Sequence, residues 1–81
     1  MPHNVLIIER YTTPEGATVI RHYCYVQSNN WICRCNSRGE IIQHVLNVCK
    51  MPDVAFVGYV LDWHRHNVAP AGAKLDWQFV Y

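Results

Sequence analysis

Residues 4–13, NVLIIERYTT, are dense in β-branched and aromatic side chains and run into Pro14-Glu15-Gly16, a turn signal. Residues 17–27, ATVIRHYCYVQ, carry the same character, and Ser28-Asn29-Asn30 marks the next turn. Residues 31–36, WICRCN, complete what reads as a three-stranded antiparallel meander.

The period then changes. Ser37-Arg38-Gly39-Glu40 matches a capping box, in which the serine and the glutamate each satisfy a free backbone N–H. Apolar residues follow at Ile41, Ile42, Val45, Leu46, Val48 and Cys49, with Gln43, His44, Asn47 and Lys50 between them. That spacing predicts a helix with one wet face, stopped by Pro52. Residues 54–65 and 74–81 read as a final pair of strands around an Ala/Pro/Gly loop. Setting Leu61 opposite Leu75 pairs Asp62 with Lys74, Tyr59 with Trp77, Val57 with Phe79 and Ala55 with Tyr81. A slip of two residues would oppose Asp62 and Asp76, which costs stability. Leu61-Asp62-Trp63 returns as Leu75-Asp76-Trp77, an echo expected of two similar strands rather than of a duplication.

The expected fold is therefore α+β, in the order β-β-β-α-β-β. One helix packs on a five-stranded, mostly antiparallel sheet, with the last hairpin beside the first strand through a right-handed crossover. Residues 1–81 form a single compact domain, since a second core would not fit in 81 residues.

Composition narrows the function classes. Net charge is +1, and no long run of one sign occurs. Dedicated nucleic-acid binders carry a basic stripe and a domain pI above ~9, so that class gains little support. Charged residues are 16% of the chain, against roughly 25% in ordinary globular proteins. Apolar residues reach 51%, with three Trp and five Tyr, so part of the surface is expected to be covered by a partner protein or a second copy. No eighteen-residue apolar run offers a membrane span, and MPHNVLIIER lacks the basic start of a signal peptide. The expectation is a cytoplasmic chain with its four cysteines reduced.

Three of those cysteines fall in HYCYVQSNNWICRC, residues 22–35. A tight turn at Ser28-Asn29 or Asn29-Asn30 puts His22, Cys24, Cys33 and Cys35 on one face of the hairpin. They are an acceptable zinc set by ligand type, but zinc ligands converge to ~2.0–2.3 Å of one point and usually sit on curled C-x2-C turns. A flat sheet spreads them too far. Ile20, Val26 and Trp31 share that face, so it is expected to lie beneath the helix, with the thiols as packing and no metal.

The opposite face would then expose Arg21, Tyr23, Tyr25, Gln27, Ile32 and Arg34. Tyr and Arg dominate binding energy at many interfaces, so Arg21, Tyr23, Tyr25, Gln27 and Arg34 are the candidate protein-binding residues. His64, Arg65 and His66 form a candidate auxiliary basic edge, and Asp62, His64 and His66 would project to one side of a strand. No nucleophile elbow, phosphate loop or dinucleotide fingerprint accompanies them, and no cofactor is implied.

The leading expectation is a non-enzymatic protein-binding module that dimerises or binds a partner protein. Its size and neutrality are those of virus-encoded inhibitors of host defence such as anti-CRISPR proteins, an analogy of character without a shared motif. The alternatives are a single-stranded nucleic-acid binder, with tyrosines stacking bases, and a small metal-dependent hydrolase at Asp62, His64 and His66.

Overall fold

A computed structural model describes residues 4–80. The elements are β1 (Asn4–Thr12), β2 (Thr18–Ser28), β3 (Trp31–Cys35), β4 (Ile41–Asn47), α1 (Asp53–Asn67) and β5 (Lys74–Phe79). The strands form one antiparallel sheet in the order β4-β3-β2-β1-β5. The architecture is α+β, one helix packed on five strands.

The meander follows from its turns. Gly16 sits at φ 88°, and Asn29, a residue that tolerates the left-handed region, at φ 55°. The two-residue Asn29-Asn30 turn aligns Ser28 with Trp31, Val26 with Cys33 and Cys24 with Cys35. Burial along β1 alternates, with Val5, Ile7 and Glu9 all turned inward.

The element order is β-β-β-β-α-β, so the expected helix at 37–50 and the expected strand at 54–65 exchange roles. Two local signals account for this. Asn36 Oδ1 accepts the N–H groups of Arg38 and Glu40, and Gly39 takes φ 81°, so Asn36–Glu40 is a hairpin loop rather than a helix cap. Ile41, Ile42 and Val45 then suit a strand, β4, whose pairing with β3 is interrupted by two register shifts. Pro52 opens a helix instead of closing one: its carbonyl accepts the Phe56 N–H, and Asp53 stands in the first turn with His64, Arg65 and His66 in the last.

The expected hairpin of residues 54–65 with 74–81 is absent accordingly. β5 nonetheless lies beside β1, pairing Phe79 with Val5, Trp77 with Ile7 and Leu75 with Glu9. Tyr81, expected at the end of this strand, lies outside the described residues. Because β4 and β5 occupy opposite edges, the chain between them crosses the sheet, and α1 covers one face of it. Phe56, Val57 and Val60 from the helix meet Val5, Ile7, Tyr25 and Ile32 from the strands. Full burial of each large apolar side chain stabilises the fold by about 1.5–3 kcal/mol. No helix among the described residues is long and apolar enough to cross a membrane.

Candidate docking face

The helix covers the Tyr/Arg face, and the cysteine face is the open one. This reverses the expected assignment of the two sides, although the facing of the residues within the hairpin is as expected. Tyr25 is fully buried beneath α1, and Gln27 is buried with its Nε2 donating toward the carbonyls of Asn29 and Trp31. Tyr23 is half-buried with its ring 4.6 Å from that of His64. Arg34, opposite Tyr25, is half-buried, and its Nε has no hydrogen-bond partner. Arg21 alone of the five candidate binding residues is exposed, its guanidinium 6.0 Å from the Tyr11 ring centre.

Helical geometry likewise divides the Asp62, His64, His66 group. On a strand the three would share a side, but on α1 Asp62 and His66 are one turn apart and His64 points the other way. His66 Nδ1 donates to the Asp62 carbonyl at 2.7 Å and lies 3.4 Å from its carboxylate, both residues being exposed. His64 is wholly buried. Arg65 is exposed, with Nη1 3.5 Å from the carbonyl of Ala73. These three residues therefore do not make one basic edge.

His64 instead joins helix to sheet. Its Nδ1 lies 2.6 Å from the Tyr25 hydroxyl and its Nε2 2.9 Å from Glu9 Oε1, with all three side chains at most 1% exposed. Burial pushes the Tyr25 pKa up, so the phenol keeps its proton and donates to Nδ1. Nε2–H is then left to donate to the Glu9 carboxylate. Burial also pulls the His64 pKa down, against the opposing pull of Glu9, and favours the neutral ring that this arrangement requires. Carboxylate, imidazole and hydroxyl stand in the order used by hydrolytic relays. Here the set is sealed inside the core, and it works as a polar pin. Sequence reasoning missed Glu9, yet a signal was present: a carboxylate at an inward position beyond Val5 and Ile7 demands a buried partner.

The open face presents Leu6, Ile8 and Arg10 from β1, Ile20, His22, Cys24 and Val26 from β2, and Trp31, Cys33 and Cys35 from β3. Ile20 is 56% exposed, and Leu6, Ile8, Cys24, Val26 and Trp31 are half-buried. Polar groups border the apolar strip: Lys74, Asp76 and Gln78 along β5, and His44 and Asn47 along β4. The Trp31 and His44 rings meet edge to face at 5.3 Å. At one end, Asn36, Ser37 and Gly39 wall a shallow concavity of about 490 Å³ with Leu6, His22, Cys24 and Cys35 on its floor. Among the described residues, no three His, Cys, Asp or Glu side chains gather closely enough to hold a metal ion. All four thiols are free, with Cys33 and Cys35 buried, Cys24 half-buried and Cys49 exposed.

No protein-family model, curated protein or solved structure matches the chain.

Proposed function

We propose that the chain is a non-enzymatic protein-binding module that docks through the sheet face opposite α1. One observation carries this reading: apolar side chains run across three adjacent strands of a face that no element among the described residues covers. Antiparallel sheets commonly leave one face to water, and that face is then normally polar. Here it is largely apolar, broken by Arg10 and His22, and its borders are polar, close to the composition of an interface core and rim. Occlusion of a partner's working surface, as in small inhibitors, suits this size and neutrality.

In isolation the face is covered by a second copy. Five strands about 4.8 Å apart, presented over five or so residues, offer on the order of 500 Å² per copy. A pair would bury about 1,000 Å², near the lower limit for a specific interface, so the dimer should be weak and concentration-dependent. Sedimentation velocity tests this directly. The purified chain should shift from monomer to dimer as concentration rises, and Ile20→Glu should remain monomeric. Unchanged dimerisation in Ile20→Glu would place the contact elsewhere, and a strict monomer throughout would remove the second copy as occupant.

The nucleic-acid reading has lost its stacking platform, because Tyr25 is fully buried beneath α1 and Tyr23 is partly so. The hydrolase reading has lost its constellation, because His64 faces away from Asp62 and His66.

A further inference from the structure

We propose that Cys24 and Cys35 form a thiol–disulfide exchange site that takes small disulfides of the glutathione class. The placement follows from the β2–β3 register. Ser28 and Trp31 close the two-residue turn as a hydrogen-bonded pair, and counting back in steps of two makes Cys24 and Cys35 another such pair. Cα atoms in these pairs stand about 5.5 Å apart, inside the disulfide range of about 4.4–6.8 Å. The Cβ atoms of a hydrogen-bonded pair, also about 5.5 Å apart, must draw in by about 1 Å to bridge, which makes the bond strained and readily exchanged. Both side chains leave the sheet on the same side, with no helix above them. Both line the concavity walled by Asn36 and Ser37, which gives a small peptide disulfide room to approach.

The two thiols differ, and the difference sets their order of action. Cys24 is half-buried and more accessible, whereas Cys35 is 8% exposed. Burial and the neighbouring Cys24 push the Cys35 pKa up to about 11, so Cys35 is seldom a thiolate in the resting protein. Cys24 therefore attacks first. Its thiolate displaces one glutathione thiolate from the oxidised dimer and forms a mixed disulfide. Cys35 then loses its proton and attacks the Cys24 sulfur, breaking the mixed disulfide and releasing the second glutathione thiolate. Two protein thiols are oxidised, one small disulfide is reduced to two thiols, and the protons pass to the released thiolates. Cys33, two residues along the same strand, is opposite Val26 and has no thiol facing it. Cys49 is exposed and lies after β4, outside this pair.

The test is to titrate the folded full chain with oxidised glutathione, quench with acid, and read intact mass and a non-reduced peptide map. The expected product has lost two hydrogens and links the peptides containing Cys24 and Cys35, with any persistent adduct confined to Cys49. Cys35→Ser should instead hold a stoichiometric mixed disulfide at Cys24, and Cys33→Ser should form the bridge as before. A bridge through Cys33, stable glutathione on Cys24 of the unmodified chain, or no reaction at either thiol would each overturn the proposal. The unmodified chain gives the decisive reading, so the result does not depend on how the serine variants fold.

Discussion

The two faces of this sheet treat polar chemistry in opposite ways. On the helix side, Glu9, Tyr25 and His64 are removed from water and satisfy one another across the α1–sheet boundary. On the open side, the His and Cys groups stand on a partly apolar strip and remain within reach of solvent at His22 and Cys24. A polar group under the helix fixes structure because leaving it unpaired there is costly. A polar or sulfur group on the open side is available to chemistry and to partners.

The largest effect is expected at the covered face. Glu9→Ala leaves a buried imidazole N–H without its acceptor and should cost about 1–3 kcal/mol, read as a lower urea midpoint. In a Tyr25→Phe background, which removes the hydroxyl that donates to His64, replacing both partners, Glu9→Leu with His64→Leu, should recover much of that loss, because the apolar set carries no unpaired group. If the combined variant is as unstable as the single one, packing rather than pairing holds the helix at this point.

A smaller effect concerns pH. The His64 pKa is lowered from its ordinary 6.5 by burial, so between the two values the unfolded chain binds more protons than the folded one. Its contribution to stability is complete above 6.5 and is lost as pH falls through that value toward the folded pKa. Urea midpoints measured from about pH 7 down to about pH 5 should fall, and less steeply in His64→Gln. An equal slope in that variant would assign the pH dependence to other groups.

The smallest effect on folding is expected on the open face. Ile20→Glu should change stability by no more than about 0.5 kcal/mol while removing self-association, because the side chain is mostly solvated in the monomer. A large loss of stability there would mean that the open face is part of the monomer's core.

Much of this was legible in the residues. Asn29-Asn30 set the β2–β3 register, and that register put His22, Cys24, Cys33 and Cys35 on one side, as expected. Which side the helix would cover was not legible, because both sides of the hairpin offer apolar residues and only the placement of α1 decides between them. The exchange of helix and strand has a similar cause. Leu61-Asp62-Trp63 is helical in α1, while Leu75-Asp76-Trp77 is extended in β5. The same three residues adopt both states because packing overrides their modest intrinsic preferences. Gly39 and Pro52 were the informative positions. Each can end a helix, but here the first turns a hairpin and the second starts a helix.

The pairing of β5 with β1 also has a consequence for how the chain assembles. The hairpins among β1 to β4 close over short loops and can form within microseconds, whereas β5 must find a strand some seventy residues away. Closing so long a loop pays its entropy before any contact repays it, which makes that step slow. During synthesis the first four strands emerge before α1, with Val5, Ile7, Tyr25 and Ile32 bare and Glu9 without its histidine. Until the last third of the chain arrives, the sheet has two sticky faces instead of one, and this interval is when the nascent protein is most exposed to misassociation.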